Sequence, residues 1–102
     1  MNKINLSENE LEEVKKIFRD NLPANSKVYV FGSRITDKIK KYSDLDLAFD
    51  FGRKMTLDET AKLREEFSNS NLIFTVDIVD LHSISHDFKA KILNDCIEIV
   101  YN

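Results

Sequence analysis

Asp44 and Asp46, separated by one leucine and preceded by the pair Gly32-Ser33, are the residues of this chain best suited to chemistry. Side chains alternate across a strand, so in Ser43-Asp44-Leu45-Asp46-Leu47-Ala48 the two carboxylates share one face and the leucines the other. Carboxylates held that close repel each other unless a cation lies between them. Magnesium, a hard ion that takes oxygen ligands, suits such a place. A third acid, Asp77, stands in the middle of the strand-like run Ile73-Phe74-Thr75-Val76-Asp77-Ile78-Val79. It completes the set if its strand lies beside the first, and its apolar neighbours make it costly there without a role.

Gly32 is one of two glycines and ends the β-like run Lys27-Val28-Tyr29-Val30-Phe31. The backbone there must turn sharply and come close to something that a Cβ would hinder. Ser33 then opens a short helix whose free N–H groups and positive end suit phosphate, and its hydroxyl adds a donor. Arg34, Lys40 and Lys41 lie within reach of the same anion, although each is more simply read as a solvated charge. A phosphate-sized pocket beside three carboxylates is what magnesium-dependent chemistry on a nucleoside triphosphate requires.

Each part alone has a plainer reading. Asp-x-Asp is usually a solvated edge, Gly32 an ordinary turn, Ser33 an N-cap, Asp77 a surface acid, and Asp80 the acid that ends its strand. It is their joint order along the chain that carries the chemistry. Two other strings are set aside. Asp50-Phe51-Gly52 spells a protein-kinase magnesium motif without the catalytic loop that must precede it. His82 and His86 have helical spacing, but no cysteine or carboxylate completes a zinc set and the segment between them reads as a turn.

The elements that position these residues are legible from capping and periodicity. Ser7 and Glu10 form a capping box, with Leu6 and Leu11 at the staple positions, for a helix that buries Val14, Ile17 and Phe18 and stops at Pro23. A strand over 27–31 is followed by a short helix from Ser33 to about Lys40 and a second strand over 44–51. Thr56 and Glu59 cap a helix through Phe67 that is expected to bury Ala61, Leu63 and Phe67. Ser68-Asn69-Ser70-Asn71 is a turn, a third strand covers 72–80, Ser85 caps a helix carrying Phe88 and Ile92, and residues 97–101 form a last strand. Alternating strands and helices imply an α/β (α+β) fold: one small mixed sheet with helices packed on it.

Composition narrows the class. A chain of 102 residues is expected to be one domain, 1–102, with no room for a separate substrate or lid domain. The formal net charge of -3 argues against nucleic acid as a partner. No apolar run approaches a membrane span and the N-terminus lacks the apolar stretch of a signal peptide, so no membrane is expected and the cytoplasm is the default compartment. The single Cys96 has no disulfide or zinc partner and reads as a small buried hydrophobe. Homo- and hetero-oligomers both remain open.

Gly32-Ser33, Ser43-Asp44-Leu45-Asp46-Leu47 and Val76-Asp77-Ile78-Val79 resemble the minimal nucleotidyltransferases of the DNA polymerase beta superfamily, over nearly the whole chain. The chain differs from many relatives in following Gly-Ser-Arg with Ile35, Thr36 and Asp37 rather than small residues and another glycine. The resemblance implies the polymerase-beta-like fold. It also implies that Gly32, Ser33 and Arg34 bind the nucleotide, that Asp44 and Asp46 hold two Mg2+ ions, and that Asp77 is the third catalytic and metal-binding carboxylate. Such proteins are often paired with a small helical HEPN toxin, which implies an antitoxin that attaches AMP from ATP to a tyrosine of its partner. Two rival readings follow from the same residues: a non-catalytic antitoxin that masks its partner, and the catalytic subunit of a two-component antibiotic nucleotidyltransferase.

Overall fold

The computed structural model describes residues 4–35 and 43–101, and its elements are the expected helices and strands with altered ends. Helix α1, Glu8–Asn21, begins where the Ser7 hydroxyl accepts from the Glu10 N–H at 3.1 Å and the Glu10 carboxylate accepts from the Ser7 N–H at 2.8 Å. This reciprocal cap satisfies two backbone donors that the first turn leaves open. Strand β1, Lys27–Phe31, runs antiparallel to β2, Leu45–Asp50. Helix α2, Leu57–Ser68, starts in a second capping box at Thr56 and Glu59. Arg53 beside Glu59, together with the Thr56 N–H, holds that carboxyl down at about 2. Strand β3, Val76–Asp80, then lies parallel to β2. Helix α3, His86–Asn94, and the two-residue strand β4, Ile97–Glu98, complete the chain.

The sheet order is β3-β2-β1-β4. One face, formed by Val28, Val30, Leu45, Leu47 and Phe49, is closed by α1 and α2. Phe18 sits at its centre, fully buried, with rings of Phe49, Phe67 and Tyr101 set edge-on to it at 5.7, 6.2 and 5.5 Å. The other face carries a smaller cluster of Ala48, Leu81 and Ile92, with Tyr29, Phe31, Val79 and Ile84 packed against it. Ile92 brings α3 onto this second face, the one that also bears Asp46 and Asp77.

Four expectations are corrected. The third strand begins at Val76 rather than residue 72: Val76 pairs with Leu45, the first residue of β2. The last strand stops at Glu98; Tyr101 turns inward against Phe18 and its hydroxyl donates to the Ser26 carbonyl at 3.1 Å. Ala61 is exposed, since the stripe that α2 buries is only Leu63 and Phe67, one turn apart. Cys96 is half-buried rather than a core residue. Of the helix expected from Ser33 to Lys40, the described part is one 3-10 turn, Gly32–Ile35; the remainder, with Lys40 and Lys41, lies outside the described residues.

Candidate active site

The parallel register of β2 and β3 sets Asp46 directly opposite Asp77. The two carboxyls lie close enough to interact, and as two free charges they would repel. Burial, the bond to Asp77 and the nearby charges of Asp77 and Asp44 together push the Asp46 carboxyl up to about 6. Asp77 is exposed on β3, an edge strand, and Asp44 is exposed one residue before β2. Among the described residues no group of three or more His, Cys, Asp or Glu side chains is arranged to hold a metal ion. The acids meet as a pair, with Asp44 as their neighbour. The chemistry of that pair fits a hard divalent cation, because an ion of opposite sign removes the repulsion between the two carboxylates.

Gly32 explains how the turn and the acids come together. Its φ is +78°, and a Cβ placed on it would run into Oδ2 of Asp46. An L-residue would thus be strained in its backbone and would clash with the carboxylate. The close approach expected at this glycine is therefore an approach to Asp46 itself. Ser33 follows, half-buried, in the 3-10 turn.

Arg34 is not the solvated charge that its position suggested. It is 4% exposed. Its Nε and Nη2 donate to the Ser43 carbonyl at 3.0 and 2.8 Å, its Nη1 to the Asn5 carbonyl at 3.0 Å, and its guanidinium lies over the Phe74 ring at 4.1 Å. Asn5 returns a hydrogen bond from its N–H to the Arg34 carbonyl. The side chain thereby ties the Gly32-Ser33 turn to Ser43, the residue just before Asp44. Lysine cannot supply this planar fork. Arg34→Lys is expected to cost about 2 kcal/mol in urea denaturation, because it leaves a buried carbonyl unpaired. Nucleotide affinity should fall along with that stability if Arg34 acts by positioning. A variant of unchanged stability with lost affinity would point instead to direct phosphate contact.

Sequence reasoning missed one more pair. His82 Nε2 lies 2.7 Å from Asp50 Oδ1, and Asp50 also accepts from the Gly52 N–H. Burial raises the Asp50 carboxyl, but the bonds to His82 and Gly52 outweigh it and leave the group below its ordinary value. Asp80 accepts from Met55, His82 and Ser83, so it fastens two loops rather than merely ending its strand. No local signal announces these contacts, since Asp50 and His82 belong to different strands' ends.

Comparison with known proteins shows the family and the fold. The chain is 38% identical over 89 residues to the Haemophilus influenzae protein named probable protein adenylyltransferase MntA, covering 87% of this chain and 77% of that one. A crystal structure of a toxin-antitoxin with AMP-PNP superposes with a TM-score of 0.75 at 25% identity, over 90% of this chain and 73% of that one. A re-refined structure of tri-AMPylated Shewanella oneidensis HEPN toxin in complex with MNT antitoxin gives a TM-score of 0.66 at 29% identity, over 90% and 71%. Residues 12–102 match the family described as Polymerase beta, Nucleotidyltransferase, and the chain belongs to that family.

Proposed function

We propose that this chain is a magnesium-dependent protein adenylyltransferase, cytoplasmic, that moves AMP from ATP to a tyrosine hydroxyl of a HEPN toxin and so acts as its antitoxin. The observation that carries the reading is the contact of the bare Cα of Gly32 with Asp46, which puts an anion-binding turn against a repelled pair of carboxylates. The likeness to MntA and to an AMPylated HEPN complex supports the donor and the partner.

In this reading the Gly32-Ser33 backbone and the Ser33 hydroxyl orient the outer phosphates of ATP. Asp44, Asp46 and Asp77 would hold the magnesium, which supplies charge neutralisation at the phosphates when bound. Arg34 keeps the turn and the acid segment in register without touching substrate. Asp77, exposed on the edge strand, is the carboxylate that an incoming hydroxyl meets, and it takes the proton as that oxygen attacks the α-phosphorus and pyrophosphate leaves. The partner brings the acceptor to this edge, where Asp77 is exposed on β3.

The test is intact-mass spectrometry of a HEPN toxin incubated with this protein, ATP and magnesium. Wild-type protein should add one or more AMP units. Asp77→Asn, which changes shape little, should still co-elute with the toxin while adding no mass. Full neutralisation of the toxin by this variant without any mass shift would overturn the transferase reading and leave a masking module.

A further inference from the structure

Strand β3 is an edge of the sheet, and its hydrogen-bonding pattern shows which residues it leaves open. The Leu45 N–H donates to the Thr75 carbonyl at 2.9 Å, and the Leu81 N–H to the Phe49 carbonyl at 3.0 Å. Alternate residues of a parallel strand bond to the neighbour, so Asp77 and Val79 turn their backbone groups towards β2. Val76 and Ile78 turn theirs outward, where no strand pairs with them among the described residues. Burial agrees with an open side: β2 buries Leu45, Leu47, Ala48 and Phe49, whereas no residue of β3 is buried. A row of unmet donors and acceptors is a template for another strand. Beside it, where Val76 begins the strand, opens a cleft of about 330 Å³. Phe67, Leu72 and Phe74 make its lining apolar, and Arg64, Ser68 and Thr75 add polar groups. Arg64 is exposed and enters no ion pair among the described residues.

We propose that the open edge of β3 binds an extended segment of the acceptor protein as an added strand, with the acceptor tyrosine facing Asp77 and an apolar neighbour in the Arg64 cleft. This rests on the transferase reading above and adds to it the form in which the acceptor is presented. The carboxylate that meets the incoming hydroxyl stands on the open strand itself, so the occupant of this edge is the chain that carries that hydroxyl. Because Asp77 spends its backbone groups on β2, a residue facing it across an added antiparallel strand forms a non-hydrogen-bonded pair. Such pairs bring side chains closest, at about 4.5 Å between Cα atoms. A tyrosine there stands on the same face as both acids, and its length carries the hydroxyl beyond the carboxylate tips, where a serine would stop short. The next residue of the segment turns to the opposite face, on which Val76 packs against the core and the cleft opens. Arg64 at that cleft favours an acidic residue flanking the apolar one. A second copy of this chain suits the edge less, since pairing β3 with itself lines the Asp77 and Asp80 charges of two strands along one seam.

Amide hydrogen exchange followed by NMR, on the whole chain alone and with a HEPN toxin, tests the pairing directly. The outward N–H groups of Val76 and Ile78 should exchange freely alone and slow by on the order of tenfold or more in the complex. Those of Asp77 and Val79, already bonded to β2, should change less. Val76→Pro removes one outward donor at the start of an edge strand, a place that tolerates proline, so the fold should hold. Its KM for the toxin should rise about tenfold, the size of a lost hydrogen bond, with ATP affinity unchanged by calorimetry. Val76 and Ile78 amides that exchange as fast in the complex as alone overturn the added strand, and so does an unchanged KM in the folded Val76→Pro protein. Either result leaves the transferase reading standing. Protection that appears with protein concentration in the absence of toxin assigns the edge to a second copy and likewise overturns the proposal. A wild-type protein that adds no AMP to the toxin overturns the transferase reading, and the proposal with it.

Discussion

Asp46→Asn is expected to lower AMP transfer by on the order of 10³-fold or more while leaving the fold in place. The neutral amide keeps the shape of the carboxyl but loses the charge that a divalent cation needs, at the point where Gly32 and Asp77 converge. Its effect on the metal-free protein should run the other way. A carboxyl held at about 6, above the ordinary value near 4, binds its proton more tightly folded than unfolded. The stability it contributes is complete below the unfolded value and is lost as pH rises through about 6. The magnesium-free wild-type protein should therefore weaken between acid and neutral pH by about 1 kcal/mol, a figure reduced because the site is open to solvent. Asp46→Asn should flatten that dependence. Urea denaturation of both proteins at pH 4.5 and pH 7.5 checks the sign, and a wild-type protein that gains stability from this group as pH rises would contradict a raised Asp46 carboxyl.

Phe18→Ala should have the largest effect on stability. The ring is fully buried where α1 meets the sheet, and its removal strips an edge-on contact from Phe49, Phe67 and Tyr101 together. Lost transfer energy and the cavity left behind sum to about 4 kcal/mol. That is a large part of the total for a domain whose stability is on the order of 5–15 kcal/mol. Phe18→Leu refills most of the volume and should cost less than half as much. A denaturation midpoint for Phe18→Ala close to that of Phe18→Leu would show that α1 can collapse into the gap.

The site was legible where its cause was local. A glycine at the end of an apolar run and the capping boxes at Ser7 and Thr56 are decided within a few residues, and each appears where the spacing places it; Asp44, expected on the second strand with Asp46, lies one residue before it. The facing of Asp46 and Asp77 needed one assumption, that their strands are neighbours, and the sheet order supplies it. What stayed hidden depended on distant partners. Ile73 and Phe74 have the composition of a strand, but the ladder with β2 begins only at Val76. Arg34 has the composition of a surface charge, but carbonyls of Asn5 and Ser43 and the ring of Phe74 enclose it. Asp50 and His82 find each other only after the sheet forms.

The parallel pairing of β2 with β3 also gives the site an order of birth. β1 and β2 are antiparallel neighbours only 13 residues apart in the chain (32–44), so they can pair early, whereas β3 reaches β2 only after α2 has crossed over the sheet. Closing that longer loop costs chain entropy before its contacts repay it. Asp46 and Asp77 therefore meet late, and at neutral pH without a cation their meeting opposes the closure. A nascent chain can thus carry β1 paired with β2, with Gly32 already turned, and still have no acid pair. In such a chain, magnesium or a lower pH should speed the last docking step, and catalytic competence should appear with β3 rather than with the bulk of the secondary structure.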